Sequence, residues 1–260
     1  MRYIPLSNSV YKRNRRNFMD EMKGNSLAVF NSNDIYPVSA DSELPFEQHR
    51  DIFHLTGIDQ EETILLLYPA SKNYKTREIL FIRKSDNHTK VWEGEKLSKK
   101  QANELSGINN ICYIEDFKDV LSSIATEVDT FYINKNEHYR ANSPVETRED
   151  RFISWLLKKY PAHNVAKSNP ILQRQRSLKH PSEIDQIKRA CEITGKGFNR
   201  VLKFIKPNIW EYEIEAEFIH EFINNSSKGF AYSPIIASGN DNNVLHYIKN
   251  NKKCKSGELI

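Results

Sequence analysis

Between Ser26 and about Tyr160 the chain alternates between two kinds of segment, and this constrains its fold more than any other feature. Short runs rich in aliphatic, β-branched and aromatic residues (27–30, 64–68, 79–82 and 131–133) are separated by stretches with helical spacing at 98–105, 117–124 and 149–160. Strands that alternate with helices predict an α/β domain built on a central mixed sheet. Pro161 disfavours a helical Tyr160 and ends the last of these helices. The polar stretch from there to Pro170 reads as a linker.

Beyond it the period changes. Pro181 stands at a first helical position, with Glu183 in the first turn beside the positive end of the dipole. Ile184, Ile187, Cys191, Thr194, Phe198, Val201 and Ile205 recur at steps of three and four, one apolar stripe on a long helix that Pro207 stops. Asn208 is expected to cap a second helix, with Glu211 completing a capping box and Gly229 ending it. Apolar runs at 231–237, 244–248 and 258–260 then predict strands, the first two joined by the polar turn 238–243. A strand that opens on Leu259-Ile260 leaves its ladder groups without a continuation, so a cut polypeptide is expected. The two regions divide at 168/169, as 1–168 and 169–260.

Composition narrows the class. With 260 residues, 38% of them apolar and 11% aromatic, the chain can build a core, which excludes wholesale disorder. No apolar run approaches the ~18 residues of a membrane helix, and the N-terminal stretch lacks the apolar centre of a secretory signal. Cys112, Cys191 and Cys254 are odd in number and far apart, which fits a reduced, cytoplasmic setting and neither a disulfide framework nor a metal knuckle. Residues 1–170 carry 24 basic and 24 acidic side chains, and 171–260 carry 14 and 10, too even a balance for a nucleic-acid binder. The run Lys12-Arg13-Asn14-Arg15-Arg16 reads as the solvated face of a first helix.

Chemistry is sparse in the residues alone. The eight histidines form no helical zinc motif, and no nucleophile elbow or phosphate loop occurs. Cys191, on the apolar stripe, reads as a core thiol, and the alternating Glu211, Glu213, Glu215 and Glu217 as a solvated helix face. His246 stands out inside the apolar run Val244-Leu245-His246-Tyr247-Ile248; by itself it could be a hydrogen-bonded core residue or a functional one.

The block Arg176-Ser177-Leu178-Lys179-His180-Pro181-Ser182-Glu183-Ile184, the helix pair, Tyr232 to Asn240, Leu245-His246-Tyr247 and Gly257-Glu258-Leu259-Ile260 together resemble the opening half of a pita-bread metallopeptidase. Phe53-His54-Leu55-Thr56-Gly57 and Trp92-Glu93-Gly94 resemble N-terminal signatures of the same family, the Xaa-Pro aminopeptidases (aminopeptidase P) of family M24. The resemblance implies a creatinase-like N-terminal α/β domain over 1–168, then an incomplete pita-bread domain over 169–260. It also implies two Mn²⁺ ions held by two Asp, one His and two Glu, whose bridging hydroxide attacks the carbonyl before proline. The first metal Asp would fall shortly beyond Ile260, so this stretch lacks the ligands and is expected to be inactive alone. By the same resemblance His246 is catalytic, a donor that stabilises developing charge. Tyr232 and Ile235 line a substrate pocket, and Trp92 reaches the pocket of a neighbouring subunit. The implied partners are peptides with proline second and further copies of the chain in a homodimer or homotetramer, with neither nucleic acid nor membrane. The alternatives are a prolidase, a metal-free peptide-binding module of this fold, and a creatinase-type hydrolase.

Overall fold

The alternating pattern becomes a layered α/β unit in the computed structural model, which describes residues 3–138 and 143–260. Two compact units are present, one spanning Pro5–Lys179 and one built on His180–Ile260. The first runs α1 (Asn8–Asp20), β1 (Ser26–Asn31), a ribbon of β2 (Pro37–Ser39) and β3 (Ser42–Glu43), α2 (Arg50–Thr56), β4 (Ile64–Leu67), β5 (Glu78–Ile82), α3 (Asn87–Trp92) and α4 (Lys99–Ser106). It continues through β6 (Asn110–Tyr113), α5 (Phe117–Ala125), β7 (Thr130–Ile133), α6 (Arg148–Lys159), β8 (Asn164–Lys167) and α7 (Asn169–Ser177). Six strands form a mixed sheet in the order β6-β5-β4-β1-β7-β8. β1, β7 and β8 are mutually parallel, β4 is antiparallel to both β1 and β5, and β6 is parallel to β5.

The period-two alternation sorts the core into two layers. Ala28, Phe30, Leu65, Leu67, Leu80 and Ile82 face a cluster with Phe18 of α1, Ile52 and Leu55 of α2, Ala102 of α4 and Ile171 and Leu172 of α7. Leu27, Val29, Ile64, Leu66, Ile79 and Phe81 face the other way, onto Phe117, Leu121 and Ile124 of α5 and Leu156 of α6. Every residue of β1 and β4 is buried, which a strand needs when helices cover both faces of its sheet.

The stretch expected to be a linker is part of this unit. Residues 164–167, Asn-Val-Ala-Lys, pair with β7 as a mostly exposed edge strand without an apolar alternation. Ser168 then donates its backbone N–H and its hydroxyl to the carbonyl of Ile133, at 3.0 and 2.8 Å, and α7 packs inward through Ile171 and Leu172. The compact unit runs on to Lys179.

The Phe53–Gly57 signature acquires a physical basis. Leu55 is buried, and the Thr56 hydroxyl donates to the Ile52 carbonyl (2.7 Å) while accepting from the Ile58 N–H (3.1 Å). Gly57 ends α2 at φ 70°, its N–H returning to the Phe53 carbonyl at 2.7 Å. A Cβ there would lie 2.4 Å from the Tyr11 ring. Gly57→Ala is expected to cost about 2 kcal/mol, from the left-handed backbone and the forced shift of Tyr11. Denaturant titration checks this; a loss below about 0.5 kcal/mol, the range of an ordinary surface change, would contradict it.

The second unit holds two long helices, α8 (Pro181–Phe204) and α9 (Glu211–Asn224). They meet at Gly197, where an added Cβ would come within 2.9 Å of both Phe218 and Phe222. Four sequence-based expectations change here. α9 ends at Asn224, well before Gly229. Asn208, at φ 73°, does not cap it: the cap position falls on Trp210, with Glu213 completing the capping box, and the Asn208 N–H is bonded to the Cys254 carbonyl at 2.8 Å. Cys191 is exposed, since α9 covers the Gly197–Val201 part of the stripe and not its N-terminal part; the buried thiol is Cys254. The runs 231–237, 244–248 and 258–260 form no strands, and 239–243 is a 3₁₀ turn. An apolar run becomes a strand only beside a ladder partner; here the Ile236 N–H and the Pro234 carbonyl are bonded to the Asn250 side chain, and the Val244 and Glu258 N–H groups close local turns on Asp241 and Lys255.

Candidate functional site

The loop system after α9 is organised by one carboxylate. α9 opens with Glu213 accepting from the Trp210 N–H (2.6 Å), which leaves Glu211 on the helix's first turn and fully buried. One oxygen of Glu211 accepts from the N–H and the hydroxyl of Ser238, both at 2.7 Å. The other accepts from the Tyr247 hydroxyl at 2.7 Å and the Lys252 N–H at 3.0 Å. Burial opposes the charged form, but these donors outweigh it and hold the carboxyl below the ordinary glutamate value. Burial, reinforced by the Glu211 charge and hydrogen bond, pushes the Tyr247 phenol up to about 12.

A second anchor lies alongside. Asn250, buried and at φ 43°, accepts from the Ile236 N–H (3.0 Å) and donates to Glu215 (2.8 Å) and to the Pro234 carbonyl (3.1 Å). Glu217 pairs with Arg200. All four alternating glutamates therefore have specific partners, which corrects their reading as a solvated face. They were missed because those partners lie as far as 41 residues away in sequence; the only local cue was the capping position of Glu213.

On this rigid base the nominated residues are solvent-facing. Tyr232 is 77% exposed, Ile235 is exposed, and His246 is exposed in a turn directly before buried Tyr247. His246 is therefore neither a strand nor a core residue. These three share one loop system, whereas Trp92 belongs to the other unit. There it is 75% exposed at the end of α3. Arg83 grips Glu93 through two nitrogens (2.6 and 2.8 Å), and Lys96 bridges Glu93 (3.0 Å) and Glu61 (2.6 Å). The turn presenting Trp92 is thus clamped from behind.

Hydrogen bonding from Arg83, then from Lys96, brings the Glu93 carboxyl down to about 2. A carboxylate depressed in the folded state stabilises above its ordinary value of 4.5, and that contribution disappears as pH falls through the folded value. In a chain with Trp155 and Trp210 replaced by Phe, and with His88, whose ring lies 5.9 Å from that of Trp92, replaced by Gln, Trp92 emission is expected to stay constant from neutral pH to about 4 and to change only toward about 2. A transition centred near 4.5 would contradict the clamp.

A polar cavity of about 640 Å³ also opens at the carboxyl ends of β1 and β7. Its floor is internally paired: Glu149 accepts from Asn31 (2.8 Å) and the Asn134 N–H (3.2 Å), and Arg148 donates to Ser32 (3.1 Å). These bonds join strand ends to α6. Among the described residues, no three His, Cys, Asp or Glu side chains converge as metal ligands. Nor, among those residues, is any helix long and apolar enough to cross a membrane.

Comparison with known proteins matches this arrangement. The family description "Aminopeptidase P, N-terminal domain" matches residues 11–132, and "Metallopeptidase family M24" matches 185–260. Xaa-Pro aminopeptidase of Escherichia coli is 26% identical over 98% of this chain and 58% of its own length. Xaa-Pro aminopeptidase 3 of Homo sapiens is 26% identical over 88% of this chain and 45% of its own length. The solved structure of zinc-substituted E. coli aminopeptidase P in complex with product aligns with a TM-score of 0.86 at 25% identity, covering 98% of this chain and 58% of that one. The chain spans about half the length of the curated relatives it matches. The chain thus resembles the aminopeptidase P group, with a match to that group's N-terminal domain followed by a match to metallopeptidase family M24.

Proposed function

We propose that the protein carrying this chain is an Xaa-Pro aminopeptidase, which removes an N-terminal residue preceding proline. The observation that carries the proposal is the exposed His246 turn, held from beneath by buried Glu211 and Tyr247 within the M24 match. An imidazole N–H fixed at the surface of a substrate site can donate to a carbonyl oxygen. That donation strengthens as attack turns the planar carbonyl into a tetrahedral oxyanion, so it lowers the barrier more than it tightens ground-state binding. Exposed Tyr232 and Ile235 are proposed to line the pocket for the substrate's first side chain or proline.

Family M24 is a metallopeptidase family, and a metal cofactor accompanies it. In this proposal the metals are two Mn²⁺ ions, with ligands drawn from residues other than those of this chain. The domains are proposed as 1–168 and 169–260. Trp92, exposed on its clamped turn, is proposed to reach the pocket of a neighbouring copy in a homodimer or homotetramer. Three widely spaced cysteines support a cytoplasmic setting.

The test is hydrolysis by the Mn²⁺-loaded protein of an Xaa-Pro-Xaa tripeptide, an Xaa-Pro dipeptide and an Xaa-Ala-Xaa tripeptide. Release of the first residue from the proline tripeptide supports an aminopeptidase. Cleavage of the dipeptide alone would make it a prolidase. Peptide binding without cleavage would make it a binding module.

A further inference from the structure

We propose that Glu211 is a positioning residue for His246. The assignment rests on the catalytic reading of His246 and adds what holds that histidine in place. Ser238 and Tyr247 bracket the segment that bears it, and both are bonded to the same carboxylate, at 2.7 Å each. Between them the chain turns through 3₁₀ residues 239–243, closed by the Val244 N–H on the Asp241 carbonyl at 2.9 Å. Lys252 adds its backbone N–H to Glu211 and pairs its ammonium with Asp241, so the far side of the loop is tied to the same point. His246 is the residue immediately before Tyr247, whose phenol is buried and anchored. The backbone of His246 therefore has its position set by a group that does not itself meet solvent.

The electrostatics of the carboxylate make it hard to replace. Its two oxygens receive four donors, two each, three of them from Ser238 and Lys252 backbone N–H groups and the Ser238 hydroxyl and the fourth from Tyr247. Glutamine has the same shape but presents an NH₂ where one oxygen was. The Tyr247 and Ser238 hydroxyls can turn to accept from it, whereas a backbone N–H cannot. Either the Ser238 or the Lys252 N–H then faces another donor, and a buried donor left unpaired is costly enough to move the loop.

Two measurements test this. In the 260-residue chain, Glu211→Gln is expected to speed hydrogen exchange at either the Ser238 or the Lys252 amide by about tenfold or more, on the scale of one lost hydrogen bond. Exchange inside α8 should not change. The His246 ring signals, one set in the parent chain, should broaden or double in the variant. In the Mn²⁺-loaded enzyme, Glu211→Gln should lower kcat by about 10- to 100-fold with KM nearly constant, and on a His246→Ala background it should add less than about threefold, because groups acting through one another are not additive. Should Glu211→Gln fail to fold, Tyr247→Phe and Ser238→Ala each delete one donor and carry the same cycle. Unchanged exchange and ring signals would overturn the inference, as would multiplicative effects of Glu211→Gln and His246→Ala. Near-normal turnover by His246→Ala would instead overturn the catalytic reading of His246, and the inference with it.

Discussion

Replacing Arg15 with alanine is expected to destabilise the Pro5–Lys179 unit by about 3–5 kcal/mol, the scale of two buried carbonyls left unpaired and a cavity where the side chain was. Arg15 lies on α1 and is 0% exposed. Its Nη1 donates to the carbonyls of Leu55 (2.7 Å) and Ser106 (3.0 Å), and its Nη2 lies 3.0 Å from a Glu78 carboxylate oxygen. Leu55 is in the last turn of α2 and Ser106 ends α4, so one guanidinium satisfies carbonyls at the carboxyl ends of two helices, where a cation also meets the negative pole of each dipole. Burial lowers the guanidinium's pKa and Glu78 pulls it back up. Alanine leaves both carbonyls unpaired and empties a cavity. Glu78→Gln should cost less, about 1–3 kcal/mol, because its amide oxygen can still accept from Nη2 although the fully buried guanidinium loses its counter-ion. Arg15→Lys should fall between, since an ammonium cannot fork across both carbonyls and the carboxylate. Denaturant titration followed by Trp155 fluorescence measures the series. A cost under about 1 kcal/mol for Arg15→Ala would mean that water replaces the guanidinium.

Arg15 also marks where sequence reasoning stopped. Its neighbourhood, Lys12 to Arg16, reads as solvated because local charge says nothing about what folds over it. The partners sit 40 and 91 residues away. The strands at 27–30, 64–68, 79–82 and 131–133 were legible because each is an apolar run buried between two helical layers, and the helices because their stripes face that sheet. Edge strand β8 was not legible, since exposure removes the apolar signal while pairing with β7 supplies the structure. After residue 230 the apolar runs predict strands, yet none forms and most of their side chains, Leu245 and Leu259 among them, are exposed: an apolar run without a ladder partner specifies neither pairing nor burial. At the candidate site, His246 was visible as the one imidazole in an apolar run. The carboxylate beneath it was not, because Glu211 finds Ser238, Tyr247 and Lys252 at separations of 27, 36 and 41 residues. Conversely, Gly57 was legible as part of a signature, and only the Tyr11 ring pressed against it explains why that residue is a glycine.

The largest expected effect belongs to His246. In the Mn²⁺-loaded enzyme proposed above, His246→Ala should lower kcat and kcat/KM together by about 10²–10³-fold, the scale of losing one oxyanion donor. The equal fall follows from where the hydrogen bond is used. A donor that meets the carbonyl only weakly in the ground state, and fully once negative charge has formed, contributes to the barrier and little to binding. KM should therefore stay nearly constant. Stability should hardly change either: the ring is exposed, so truncation removes little buried surface, and the Tyr247–Glu211 bond that shapes the turn remains at 2.7 Å. A core histidine would instead cost roughly 1–3 kcal/mol through an unpaired buried partner, and exposure leaves no such partner to abandon. Metal content should match the parent protein, as the proposed role of hydrogen-bond donor rather than metal ligand requires. His246→Gln separates charge from donation: its amide can still donate, so it should recover part of the lost rate if an N–H is what the oxyanion requires. A folded, metal-loaded His246→Ala that turns over an Xaa-Pro tripeptide at near-normal rate would end the catalytic assignment.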